Sequence, residues 1–201
     1  MIEWLLLPFG EKVSLRPYGP IGPEGMRGNK MDDLKKAIRD IPDFPKKGII
    51  FKDITPVLRD PSLFKKAVEL LAEQFKDKNI DLIAAIESRG FILGAAMAYK
   101  LGVGFVPIRK EGKLPHETHS ATYELEYGED TLEMHRDAMG KGNRVLIVDD
   151  LLATGGTLGA VIELIKKTGA EIAGIAFLIE LTFLKGREKN RGHEIFSLIK
   201  F

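Results

Sequence analysis

The chain has 201 residues, of which 44% are hydrophobic and 29% charged, ordinary values for one globular domain with a real core. Its formal net charge of +1 leaves no broad electrostatic field to recruit nucleic acid or a membrane surface. The absence of cysteine excludes a disulfide framework and thiol chemistry and agrees with a cytoplasmic protein.

No apolar run approaches the roughly 18–20 residues of a membrane span. The stretch Trp4-Leu5-Leu6-Leu7 is broken by Pro8, contains no basic leader and follows Glu3, which argues against a signal peptide. Residues 1–30 carry Pro8, Pro17, Pro20 and Pro23 among Gly10, Gly19, Gly22, Gly25 and Gly28, a composition that resists regular structure. They are expected to form a disordered leader, or to precede a natural start at Met31, which leaves residues 31–201 as the working domain.

Leu34, Ala37, Ile38 and Ile41 fall on one helical face, so the spacing predicts a short amphipathic helix over Asp32–Ile41. Pro42, Pro45 and Gly48 then stiffen a loop that leads into the extended segment Ile49–Asp53. Phe44 is expected in the core. Asp60 and Pro61 form an N-cap and a first helical position. Phe64, Val68, Leu71 and Phe75 continue that helix through Lys76 with one buried face.

Asp81–Ile86 reads as a strand that runs into Glu87-Ser88-Arg89-Gly90 and an alanine-rich helix over Phe91–Lys100. A guanidinium beside the free amides of a helix start suits a diphosphate. Gly104–Ile108 is a short strand, after which Arg109–His119 reads as a long basic loop of the kind that forms lids. His116 and His119 lack an acidic partner at ligand spacing and are expected to face solvent. Tyr123, Leu125 and Tyr127 alternate with Thr122, Glu124 and Glu126, the pattern of an amphipathic strand. Thr131–His135 is expected to return beside it.

The organising stretch is Arg144–Gly159. Val145–Val148 is apolar without alternation, as in a strand covered on both faces. Asp149 and Asp150 follow, then the small-residue turn Ala153-Thr154-Gly155-Gly156-Thr157 and a helix ending at Gly169. Such a turn lets a phosphate approach backbone amides. The helix dipole supplies only about 0.3–1 kcal/mol. Hydrogen bonds to a charged group, at roughly 1.5–3 kcal/mol each, supply more. Glu171–Glu180 is a further strand, Leu181–Gly192 a polar connection, and Ile195–Ile199 a last edge strand. Alternating strands and helices imply an α/β fold with a mostly parallel twisted sheet flanked by helices, both anion loops opening at its carboxyl edge.

VLIVDDLLATGGT resembles the 5-phosphoribosyl pyrophosphate (PRPP) signature of type I phosphoribosyltransferases, and its LLATGGT form is similar to the adenine-specific branch. The strings IPDFPKKGIIFKD, VPIRKEGKLP, LEYG and LIELTFLKGREK match that branch in order, so the resemblance covers nearly all of residues 38–201. It implies the type I phosphoribosyltransferase fold with a flexible hood loop, and the conversion of adenine and PRPP into AMP and pyrophosphate in purine salvage.

By the same resemblance, Asp149 and Asp150 hold the ribose, and Ala153, Thr154, Gly155, Gly156 and Thr157 hold the 5′-phosphate. Arg89, Arg109, Lys110 and Lys113 take the pyrophosphate. Ile50, Phe51 and Lys52 contact adenine, Phe51 as an apolar wall and its neighbours through the main chain. Glu126 handles a proton on the base, and Tyr127 closes the hood. Mg²⁺ is expected to arrive on PRPP without a protein cage of its own, and a homodimer is expected. Two rivals remain at this point: a non-catalytic PRPP-sensing module, and a phosphoribosyltransferase for another purine base.

Overall fold

The computed structural model describes residues 31–124 and 128–201. Helix α1 (Asp32–Ala37) stops well before Ile41, and Arg39–Pro42 is instead a strand, β1. The predicted helix is therefore split. Leu34 and Ile38 do bury one turn apart, but Ile41 sits opposite Phe51 in an antiparallel pair with β2 (Ile50–Asp53). An apolar residue at helical spacing serves a strand here because Pro42 disfavours helical backbone in the residue before it. Two cross-strand ion pairs staple this small sheet, Arg39 to Asp53 at 2.5 Å and Lys52 to Asp40 at 2.6 Å.

Helix α2 (Thr55–Arg59) leads into α3 (Pro61–Glu73). The side chain of Asp60 caps α3 by accepting from the amides of Ser62 at 2.8 Å and Leu63 at 3.0 Å, as expected of that N-cap. Then come β3 (Leu82–Ile86), α4 (Arg89–Leu101) and β4 (Gly104–Lys110). An antiparallel arm follows, β5 (Thr118–Glu124) and β6 (Glu129–His135). The chain returns through β7 (Arg144–Leu152), α5 (Gly156–Thr168) and β8 (Glu171–Glu180). A 3₁₀ turn (Thr182–Leu184), α6 (Gly186–Lys189) and the edge strand β9 (Ile195–Lys200) finish it.

The seven-stranded sheet runs in the order β5-β6-β4-β3-β7-β8-β9. Its pairs from β4 through β9 are parallel, and only the β5–β6 arm enters antiparallel. Successive residues of β7 bury on opposite faces: Leu146 and Val148 beneath the α3–α4 side, Val145 and Ile147 beneath α5. Burying a branched aliphatic side chain contributes about 1.5–3 kcal/mol, so a strand buried on both faces reads as an unbroken apolar run. Gly94 lets α4 lie close on the sheet, since a Cβ there would come within 2.5 Å of the Ala85 Cβ.

The region 109–119 is not the long loop that its composition suggested. Arg109 and Lys110 belong to β4, a turn occupies the following residues, and strand pairing resumes at Thr118. Cross-strand partners decide this; Arg109 faces Glu133, and Lys110 faces Leu132. Phe44 is also not core. It is 51% exposed, and its ring packs edge-on against Phe51 with centroids 5.2 Å apart.

Candidate active site

Strands β3 and β7 are parallel neighbours, with Leu82 opposite Val145 and Ala85 opposite Val148. Their carboxyl ends therefore open side by side, and each feeds a helix, α4 and α5. Gly90 allows the two loops to touch. A Cβ at that position would fall 2.7 Å from Asp149 Oδ1 and 3.1 Å from the Val148 carbonyl. The pairing of a glycine in one loop with a carboxylate in the other is not visible in either motif alone.

Asp149 and Asp150 are the last polar residues of β7 itself, which continues to Leu152. Asp149 Oδ1 accepts from the Asp150 amide at 2.8 Å. Burial, and then the adjacent Asp150 charge, raise the Asp149 carboxyl well above the ordinary carboxylate range. Burial also raises Asp150, against the opposing pull of Arg89. Arg89 Nη2 stands 2.9 Å from Asp150 Oδ2. That oxygen has no hydrogen-bond partner among the described residues, so the contact is an ion pair that leaves acceptor capacity unspent.

Arg89 also reaches the β1–β2 hairpin. Its guanidinium carbon is 4.7 Å from the centroid of Phe51, a stacking distance, and Nη1 donates to the Lys52 carbonyl at 3.4 Å. One guanidinium thus links the acid pair to β2. Phe51 and Lys52 are half-buried, while Ile50 is 56% exposed. The Lys52 ammonium is taken up by Asp40 and lies 3.9 Å from the ring centroid of Phe201.

In the turn before α5, Ala153 and Thr157 are half-buried, Thr154 is exposed, and Gly155 and Gly156 are buried. Gly155 adopts φ +82° as the helix N-cap, with no side chain capping the amides. Those amides remain free to point at an anion. Tyr123 on β5 packs close by, since a Cβ on Gly156 would come within 3.4 Å of its ring. Its hydroxyl lies 3.3 Å from Asp130 Oδ2 and also interacts with Thr157.

The basic residues at the end of β4 and in the turn after it pair with Glu87 and Asp130 rather than with the acid pair. Glu87, just past β3, holds two of them: Arg109 Nε is 2.8 Å from Oε2 and Lys113 Nζ is 3.1 Å from Oε1. The Lys110 amide donates to the same carboxylate, while its ammonium pairs with Asp130 at 2.8 Å. Burial pushes the Glu87 carboxyl up, but these cations outweigh it and hold the carboxyl below its usual range. Sequence reading passed over Glu87. Its signal is an acid two residues before Arg89, in a loop whose basic character otherwise suits an anion, which makes sense if cations converge on it. Glu126 and Tyr127 lie outside the described residues. Among the described residues no group of three or more His, Cys, Asp or Glu side chains is arranged to hold a metal, and no helix is long and apolar enough to cross a membrane.

Comparison with known proteins agrees with this geometry. The phosphoribosyl transferase domain family model matches residues 54–198. The adenine phosphoribosyltransferase of Caldanaerobacter subterraneus is 60% identical over 171 residues, covering 85% of this chain and 99% of that protein. The crystal structure of the Thermoanaerobacter pseudethanolicus adenine phosphoribosyltransferase is 59% identical and superposes with a TM-score of 0.83, covering 85% of this chain and 99% of that one. The Saccharomyces cerevisiae enzyme, crystallised with an imino-altritol bisphosphate and adenine, is 45% identical with a TM-score of 0.80, over 84% of this chain and 98% of that one. A chain with two strand-to-helix loops opening at one sheet edge and these relatives over most of its length belongs to the adenine phosphoribosyltransferases, within the phosphoribosyl transferase domain family.

Proposed function

We propose that the cleft between the β3 and β7 loops is where adenine and PRPP become AMP and pyrophosphate. One observation carries the assignment: Arg89 touches the acid pair on one side and the Phe51 segment on the other. A ligand that spans these places has an anionic group, a hydroxylated middle and a flat ring. The adenine and sugar bisphosphate analogue bound by the yeast relative support that reading.

In the proposed reaction a ring nitrogen of adenine forms a bond to the anomeric carbon of PRPP. The bond from that carbon to the pyrophosphate oxygen breaks, and its electrons leave with pyrophosphate. The sugar passes through an oxocarbenium-like state, as at other glycosyl centres. The amides of Ala153–Thr157 and the hydroxyls of Thr154 and Thr157 grip the 5′-phosphate. Asp150 Oδ2 and Asp149 accept from ribose hydroxyls, which satisfies the buried oxygen now lacking a hydrogen bond. Arg89 holds the departing pyrophosphate. Arg109, Lys110 and Lys113 join it by exchanging Glu87 and Asp130 for phosphate oxygens. Phe51 walls the base, with Ile50 and Lys52 offering main-chain groups. Glu126 takes or returns the proton on adenine, and Tyr127 closes the hood. Most of the acceleration then comes from positioning and from charges placed in advance.

Mg²⁺ fits this site by donor chemistry, because the half-buried Asp149 and buried Asp150 carboxylates, both of raised pKa beside the proposed phosphate loop, gain from a hard cation. Asp149 and Asp150 would face it, and its contribution when bound is to neutralise charge on the diphosphate. The expected setting is the cytoplasm, and the expected assembly a homodimer. Ile92 and Tyr99, two turns apart on one face of α4, are 43% and 92% exposed, and that apolar face supports pairing with a second copy. Sedimentation would show twice the monomer mass. For the reaction itself, incubation with PRPP, Mg²⁺ and each purine base in turn should yield AMP from adenine. A nucleotide formed only from hypoxanthine, guanine or xanthine would overturn the base assignment.

A further inference from the structure

The 5′-phosphate loop has almost no side-chain bulk of its own, and no side chain caps its amides. Something else must hold its shape. Behind it lies the return segment between β8 and β9. Gly186 is pressed against the loop: a Cβ there would fall 2.2 Å from the Ala153 carbonyl oxygen, 3.0 Å from the Gly155 nitrogen and 3.0 Å from Leu152 Cδ1. The fit is mutual, since a Cβ on Gly155 would lie 2.6 Å from the Gly186 carbonyl oxygen and 2.5 Å from Asn190 Nδ2. Two backbones thus meet with no side chain between them, and no rotamer change can absorb a displacement.

The return segment is itself anchored. Arg187 donates to both carboxylate oxygens of Glu180, at 3.1 and 2.6 Å, and to Ser197 Oγ at 3.2 Å and the Ile195 carbonyl at 2.5 Å. Glu180 ends β8 and is buried, so the clasp ties the segment to the sheet. Asn190, also buried, donates at 3.0 Å to the carbonyls of both Gly155 and Gly186.

We propose that Gly186, clamped by the Glu180–Arg187 pair, is a positioning residue that sets the shape of the 5′-phosphate loop 153–157. The inference rests on the reading of that loop as the phosphate site. Gly186 does not adopt positive φ, so Gly186→Ala tests close approach without backbone strain. A 2.2 Å contact is short of ordinary van der Waals separation by about 1 Å, and the Ala153 carbonyl must move by a comparable amount.

The test measures AMP and pyrophosphate affinities, the KM for PRPP and the melting temperature in Gly186→Ala and in the gentler Glu180→Gln. AMP affinity is expected to fall, and the PRPP KM to rise, by about tenfold in Gly186→Ala and less in Glu180→Gln, one or two hydrogen bonds' worth. Pyrophosphate affinity should stay unchanged. A purely structural role would lower the melting temperature and weaken both ligands together, which would overturn the proposal. If Gly186→Ala does not fold, the ratio of the two affinities in Glu180→Gln decides. Thr157→Ala separates the two readings. If it weakens AMP while the brace variants leave AMP affinity untouched, the brace is wrong. If Thr157→Ala also leaves AMP affinity intact, the phosphate loop is misassigned and the brace falls with it.

Discussion

Arg89 and Asp150 face each other at 2.9 Å, so the loop after β3 and the end of β7 are joined by an ion pair before substrate binds. The pair is largely shielded, with 27% and 7% of the two side chains exposed. Removing one partner leaves the other buried and uncompensated. Arg89→Lys keeps the charge but loses the planar fork that serves Asp150, Phe51 and a diphosphate together. Initial-rate kinetics should show the PRPP KM rising about 10- to 100-fold, while the melting point falls less than in Arg89→Ala.

Asp149 carries the opposite balance between stability and function. Its folded pKa is raised well above the ordinary 3.8 by burial and by Asp150. The native state therefore holds the proton more tightly than the unfolded chain. The stability that this provides is full below about pH 3.8 and is lost as pH rises through the higher folded value. At pH 7 Asp149→Asn should thus be more resistant to urea than the parent in the absence of ligand, with the advantage vanishing in acid. The double variant Asp149→Asn, Asp150→Asn should fold and yet use PRPP very poorly. Near-normal kinetics would refute the ribose assignment.

Asp53 shows the reverse shift. Burial pushes it up, but hydrogen bonds from Arg39 and from the Thr55 amide and hydroxyl outweigh that effect and hold it at about 2, against 3.8. Its contribution is present above pH 3.8 and lost as pH falls through about 2. With Arg39 more than half exposed, about 1 kcal/mol survives solvent screening. Asp53→Asn should lower stability by that amount at pH 7 and make no difference near pH 2, as read by paired urea titrations.

Glu126→Gln should reduce kcat more than it changes PRPP affinity, because a proton handler acts in the transition state. A change confined to KM would refute the proton role.

A chain restricted to residues 31–201 should fold and retain full adenine transfer, since every element of the cleft described lies within it. Loss of folding on that truncation would show that residues 1–30 belong to the domain.

Local sequence determined a great deal of this protein. Apolar runs such as Val145–Val148, the Asp60–Pro61 helix start and the Gly169 stop follow from backbone propensity and burial pattern, and each stands where those rules put it. The opening of both strand-to-helix loops at one sheet edge also follows, because parallel strands joined by helical crossovers end at the same edge. Tertiary structure decided what depends on partners distant in the chain. Pro42 keeps Ile41 out of a helix locally, but pairing with Phe51 is what makes it a strand residue. Arg109 and Lys110 were drawn into β4 by pairing with β6, and their charges were assigned to Glu87 and Asp130. Phe44 was left outside because its ring finds Phe51 at the surface rather than a place in the core. Gly90 and Gly186 are small for atoms that lie 59 and 33 residues away, at Asp149 and Ala153. Local pattern records which face a residue presents. Which neighbour meets that face is set only when the chain closes on itself.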